Sequence, residues 1–222
     1  MQRDQPQEIR LEDYRAPLYT TTNVDLIFDI EEGNTTVTST LKVERCDEHA
    51  SALHLDGQEL ELVSIRVDGR DLGSNEYMVD EESLTLFGLG ESHEIEIVTR
   101  IHPETNTALE GLYRSSQMYC TQCEAEGFRK ITYYQDRPDV LARFTTTIIA
   151  DAARYPTLLS NGNLIGSREL EHGRRQVSWE DPFPKPSYLF ALVAGDLELL
   201  EDEFTTQSGR RIPHWLMLCA SE

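Results

Sequence analysis

Cys120-Thr-Gln-Cys123 has the spacing of half a zinc knuckle or of a redox pair. A knuckle needs a second ligand pair, and Cys46 and Cys219 stand alone. A redox pair belongs at a helix N-terminus, and the residues after Cys123 carry no helical period. An extended strand would send positions 120 and 123 to opposite faces. The other reading is therefore two free thiols, buried or half-buried. The histidines are His49, His54, His93, His102, His172 and His214, and no two lie three or four residues apart. No helix can then present a His pair to zinc. His93-Glu94 begins like a zinc-peptidase helix, but Ile97 holds the place of the second histidine. There is no Ser/His/Asp signature, no Gly-x-Ser-x-Gly and no phosphate loop. No catalytic residue and no metal ligand is assigned in this chain.

The most unusual window is Tyr119-Cys-Thr-Gln-Cys-Glu-Ala-Glu-Gly127, which precedes the aromatic group Phe128, Tyr133 and Tyr134. If the strand stays extended, Gln122 and Glu124 share a face at i and i+2. An amide oxygen beside a carboxylate can hold a cation, above all a primary ammonium with three donors to satisfy. Exposed Gln and Glu on a loop are the plainer alternative.

The elements that must position this window read as strands. Val24, Leu26, Phe28 and Ile30 share one parity, with Ile27 the exception, and Val37, Leu41 and Val43 alternate with polar residues. Glu31-Glu32-Gly33-Asn34 between them marks a β-hairpin. A phase slip at Val63-Ser64 reads as a β-bulge, and Asp68-Gly69 as a turn. Further strands are expected around Leu84–Leu86, Ile95–Ile101, Phe144–Ala150, Gln176–Trp179, Tyr188–Val193, Leu197–Glu203 and Ile212–Leu218. Leu159-Ser-Asn-Gly162 is turn chemistry rather than a nucleophile elbow. A single helical turn after Pro138 is the best helical candidate. Asp181-Pro-Phe-Pro-Lys-Pro186 is expected to be a stiff connector, because three prolines cannot pair in a central strand. The sequence thus predicts an all-β protein of ten or more strands in two packed or saddle-shaped antiparallel sheets, with little helix.

Composition limits the function. The net charge is −20 and apolar residues make up 39% of 222 positions, a globular rather than disordered or membrane composition. A surface this acidic does not suit phosphate, so nucleic acid and anionic membranes are set aside as partners. Residues 1–100 carry 23 acidic and 8 basic side chains, whereas residues 101–200 carry 13 and 10. The near-neutral second half fits a surface docked on another domain, or loops that simply hold fewer acids. The polar opening, Met1-Gln-Arg-Asp-Gln-Pro-Gln-Glu8, has no apolar core for a signal peptide, so a cytoplasmic location is expected.

Longer blocks carry a resemblance. Tyr119–Phe128, Tyr133–Phe144, Leu159–Asn163 and Asp181–Gly195, in this order, resemble the N-terminal domain of the M1 zinc aminopeptidases in their bacterial aminopeptidase N branch. The likeness runs from Tyr14 to Arg210, most of the chain. It implies an all-β saddle packed against a catalytic domain of the same chain. It also implies that Gln122 and Glu124 match the residues that grip the free α-amino group of a peptide substrate. Glu126, of the same parity, is expected to have a surface or structural role. The family's Gly-Ala-Met-Glu-Asn and its zinc-binding His-Glu-x-x-His do not occur in these residues. Zinc is therefore expected in the parent enzyme and not in this fragment, which should be inactive alone. The rival reading is a freestanding β-sandwich interaction module without catalysis. The expected division is a polar arm over 1–13, the β domain over 14–213, and a final strand or linker over 214–222.

Overall fold

The computed structural model describes residues 10–219. Positions 1–9 of the expected arm and 220–222 of the expected terminal segment lie outside the described residues. The strands are β1 (Tyr19–Glu31), β2 (Asn34–Arg45), β3 (Ala52–Asp56), β4 (Glu61–Val67), β5 (Arg70–Asp71), β6 (Tyr77–Val79), β7 (Ser83–Phe87), β8 (Ser92–Ile101) and β9 (Gly111–Ser115). They continue with β10 (Met118–Gln122), β11 (Ala142–Asp151), β12 (Thr157–Ser160), β13 (Asn163–Glu169), β14 (Arg174–Lys185), β15 (Leu192–Gly195), β16 (Leu197–Thr205) and β17 (Arg211–Cys219). The protein is all-β, as its alternation requires. The strands fall into four sheets, more than the two that alternation suggested. Their orders are β13-β14-β11-β1-β2-β8-β4-β5, β12-β15-β10-β9, β3-β7-β6 and the hairpin β16-β17. Pairing is antiparallel except between β1 and β11.

The expected β1–β2 hairpin forms with Glu31 opposite Asn34. A bulge between Thr21 and Asn23 shifts its parity, so Tyr19 and Thr21 are buried before it and Val24, Leu26, Phe28 and Ile30 after it. Ile27 faces outward at 42% exposure. The β4–β8 register slips between Leu62 and Ser64, where the sequence breaks phase. Asp68 and Gly69 both adopt positive φ, 51° and 76°, the turn geometry that Asp-Gly serves between twisted strands.

Three expectations are corrected. No helix follows Pro138; the helical segments are single 3-10 turns at Leu11–Asp13, Phe128–Lys130, Glu171–Gly173 and Ser187–Leu189. The strand expected over Tyr188–Val193 opens as the last of these turns and pairs only from Leu192. The proline segment is not a connector but the end of β14. There Ala142 pairs with Lys185 and Phe144 with Asp181 across a wide irregularity. Pro182 and Pro184 lie inside that bulge, where the ladder asks for no amide hydrogen.

The core joins β1 to residues 128–190 around aromatic rings. Phe128, with no exposed surface, meets Tyr134, Phe144 and Phe190 edge-on at 5.1, 5.9 and 5.4 Å between centroids. Phe190 stacks on Phe28 of β1. Each buried ring contributes about 1.5–3 kcal/mol through apolar burial. This cluster is the base on which the 119–127 window sits.

Candidate amine-binding turn

β10 runs between β15 and β9 and delivers the window to one end of the four-stranded sheet. Tyr119 is buried and its hydroxyl donates to Glu104, which anchors the strand. Thr121 Oγ1 accepts from the Leu192 amide at 2.8 Å. The strand then stops. The Gly127 amide donates to the Cys123 carbonyl at 2.9 Å, closing a turn over residues 124–127. A Cβ on Gly127 would lie 2.3 Å from the Gln122 carbonyl oxygen, so only glycine lets the chain double back this tightly. Cys123 and Phe128 on either side are buried, so Glu124, Ala125 and Glu126 protrude as an exposed loop between two apolar anchors.

The extended strand that would set Gln122 and Glu124 on one face does not persist beyond Gln122. A different contact joins them. The Gln122 side-chain amide donates from Nε2 to the Glu124 backbone carbonyl at 3.0 Å. That bond fixes the amide and leaves Oε1 as the acceptor. Neither this oxygen nor the Glu124 carboxylate has a hydrogen bond or ion pair among the described residues. Glu126 differs, since its Oε2 lies 3.4 Å from Arg129 Nη1. Glu124, Ala125 and Glu126 line a cleft of about 270 Å3 with Asp136, Pro138 and Tyr188. A larger cavity of about 680 Å3 adjoins it, sharing Glu126, Asp136 and Pro138. The arrangement offers one carboxylate at a cleft mouth, without a partner among the described residues, and one neutral acceptor at the strand end that leads into the turn, groups that accept hydrogen bonds from a cation.

Sequence reasoning passed over the polar groups beneath the turn. Asp136 is 4% exposed and accepts from Ser187 Oγ at 2.6 Å and from the Arg129 amide and Nε at 3.2 and 3.1 Å. One signal was available: Asp136 is the single charge in Ile131–Asp136, a run with two tyrosines, and in the structure every residue of it is buried. A buried charge must have partners.

Cys46, Cys120 and Cys123 are free thiols, exposed, half-buried and buried respectively. Burial, and secondarily the charge of Asp136, pushes the Cys123 thiol well above its ordinary range. Such a thiol is a poor nucleophile and a poor metal ligand. Among the described residues no three His, Cys, Asp or Glu side chains group to hold a metal ion. These residues do not fit zinc, and no step below passes through a metal held by this chain. Among the described residues, no helix is long and apolar enough to cross a membrane.

A protein-family profile for the Peptidase M1 N-terminal domain matches residues 16–189. Aminopeptidase N of Escherichia coli (strain K12) is 52% identical over 208 residues, covering 94% of this chain and 24% of that protein. Aminopeptidase N of Caulobacter vibrioides is 49% identical, covering 96% and 24%. Aminopeptidase A of Legionella pneumophila, solved in complex with aspartic acid, superimposes with a TM-score of 0.89 at 38% identity over 94% of this chain and 25% of that one. An M1 zinc metallopeptidase from Deinococcus radiodurans shares the fold with a TM-score of 0.76 at 17% identity. The chain spans about a quarter of the length of the aminopeptidase N relatives. With a domain profile that accounts for most of its residues, this chain belongs to the Peptidase M1 N-terminal domain family.

Proposed function

We propose that this chain is the substrate-amine-anchoring, active-site-capping domain of a cytoplasmic zinc aminopeptidase that removes N-terminal residues from peptides. The catalytic domain of the same chain would supply zinc as Lewis acid, and the domain described here would be inactive alone. One observation carries the reading: among the described residues, the Glu124 carboxylate at the cleft and Oε1 of Gln122 at the start of the turn both lack a partner, while the neighbouring Glu126 has one. An exopeptidase must tell a chain end from an internal amide. A carboxylate that becomes desolvated when the site closes does this, because a substrate without an ammonium leaves it buried and unpaired. That costs about 3–5 kcal/mol, or roughly 10²–10³ in rate. Two further observations support the reading. The relatives are about four times longer than this chain. The β16–β17 hairpin leaves Leu200, Phe204 and Trp215 55%, 64% and 63% exposed, apolar surface suited to cover by a following domain. The aminopeptidase N likeness favours this reading over a freestanding interaction module.

The test uses the full-length enzyme that carries this domain. Glu124→Ala should cut kcat/KM for free-amine substrates by about a hundredfold or more. Gln122→Ala removes one neutral acceptor and should cost about tenfold, with Glu126→Ala within a few-fold of wild type. Near-normal activity in Glu124→Ala, with loss in Glu126→Ala, would assign the amine to the wrong carboxylate here. If none of the three matters, the domain only caps the site.

A further inference from the structure

The geometry points to Asp136 as the positioning residue that sets the 124–127 turn against the opposite wall of the cleft, an inference that rests on the amine-anchoring reading above. The cleft has two walls from distant parts of the chain. One is the turn bearing Glu124; the other includes Tyr188, in the 3-10 turn Ser187–Leu189. No backbone hydrogen bond joins the two turns; the side chain of Asp136, 1% exposed, touches the second directly and the first through Arg129, two residues beyond Gly127. Its Oδ1 accepts from Ser187 Oγ at 2.6 Å, next to Tyr188. Its Oδ2 accepts from the backbone amide and Nε of Arg129 at 3.2 and 3.1 Å. Arg129 Nη2 returns a bond to the Asp136 carbonyl at 3.2 Å, and its Nη1 lies 3.4 Å from Glu126 in the turn. The Asp136 amide in turn donates to Asp56 Oδ2 at 3.0 Å, tying the assembly to the end of β3.

A carboxylate is the side chain this junction needs. Both of its oxygens accept, Oδ1 from Ser187 beside Tyr188 and Oδ2 from Arg129, which follows the turn and pairs with Glu126, and every donor aimed at it is an N–H or O–H. Asparagine has the same shape but one acceptor. Whichever way its amide is turned, an NH2 group faces either Ser187 Oγ or the Arg129 donors. On the Ser187 side the hydroxyl can reverse and accept; on the Arg129 side the amide meets two N–H groups that cannot. In the first orientation both contacts survive but the charge facing the Arg129 guanidinium is lost, which weakens the link from Arg129 to the turn; in the second that link is broken outright. Displacement by about 1 Å in a binding group can cost up to about a hundredfold in rate without any loss of the group itself. Asp136 touches no substrate in this scheme; it acts through Glu124.

The experiment is a double-mutant cycle on kcat/KM in the full-length enzyme, with melting temperature recorded for each variant. Asp136→Asn alone should lower kcat/KM for a free-amine substrate by about tenfold or more. In a Glu124→Ala background the same substitution should change it by less than about twofold, because the group it positions is gone. A destabilised but unconnected Asp136 would instead lower activity by the same factor in both backgrounds, and that additivity overturns the inference. Ser187→Ala, which removes only the Oδ1 contact, provides a milder series. It should cost several-fold alone and nothing further beside Glu124→Ala. If Asp136→Asn cannot be purified folded, wild-type kcat/KM in Ser187→Ala overturns the inference by itself. A full effect of Glu124→Ala together with an additive Asp136→Asn defeats only the positioning role; a silent Glu124→Ala defeats the amine reading and this one with it.

Discussion

Cys123 and Cys46 are the same residue with opposite chemistry in the fold. Cys46 is exposed, whereas Cys123 is 3% exposed under the turn that carries Glu124. Burial raises the Cys123 thiol, and it raises the Tyr134 phenol in the same way. Both groups are neutral when folded at neutral pH. In the unfolded chain a thiol ionises near pH ~8.5 and a phenol near ~10. Folded values above unfolded ones mean that the contribution to stability is complete below pH ~8.5 and is lost as pH climbs toward the folded values. The midpoint of urea unfolding should therefore fall with pH above about 8.5, and Cys123→Ala should delay that fall until tyrosine begins to ionise near ~10. A midpoint that is flat from neutrality to pH ~10 would contradict the burial. Peptide mapping after brief alkylation should find Cys46 modified and Cys123 protected.

At the scale of elements, β16 and β17 stand apart. They pair with each other in nine registers from Leu197–Cys219 to Thr205–Arg211 and with no other strand. None of the side chains described in them is buried. A two-stranded hairpin without a covered face is marginally stable in water. β1, β2 and β8, by contrast, form the middle of the eight-stranded sheet and bury Val24, Leu41 and Ile97 completely. Amide exchange in this chain should be fast in β16–β17 and slow in β1, β2 and β8. Truncation after Gly195 should move the melting temperature by only about 2–4 °C, the equivalent of ~1 kcal/mol in a domain of this size. A large drop would mean that the hairpin packs on the core.

For the whole molecule the controlling quantity is a net charge of −20, concentrated in the first hundred residues. Three of the eight cations there form close pairs with acids. Arg66 bonds Asp71 and Glu96, and Arg100 bonds Glu61. Arg70 bonds Glu76, whose carboxyl is held down to about 2 by that partner and by the Gly73 amide. Salt weakens these exposed pairs, each worth only about 0–1 kcal/mol, and it also screens the repulsion among the acids left over. The excess of acids is larger than the number of pairs it could break. Melting temperature should therefore rise between low salt and a few hundred millimolar KCl. A falling curve would show that pairing outweighs repulsion.

Alternation in the sequence was enough to place most strands, because a strand's two faces are written in period two wherever one face is buried. The β1–β2 hairpin, the slip at Val63-Ser64 and the Asp68-Gly69 turn could all be read this way, and the residue blocks from Tyr119 to Gly195 carried the family. Only the tertiary structure decided what happens beyond Gln122. Parity holds while the backbone stays extended, and there a turn closed by Gly127 ends it. Nor could local pattern tell which of Glu124 and Glu126 is free, since that depends on where Arg129 points. Pro182 and Pro184 fit in β14 only because β14 bulges there, three of its residues standing against one of β11. Asp136 finds its partner Ser187 51 positions away. Each of these was settled by a contact outside the period of two, whether a turn of three or four residues or a pair far apart in the chain, and that period records only which side of a strand a residue faces, not what it meets there.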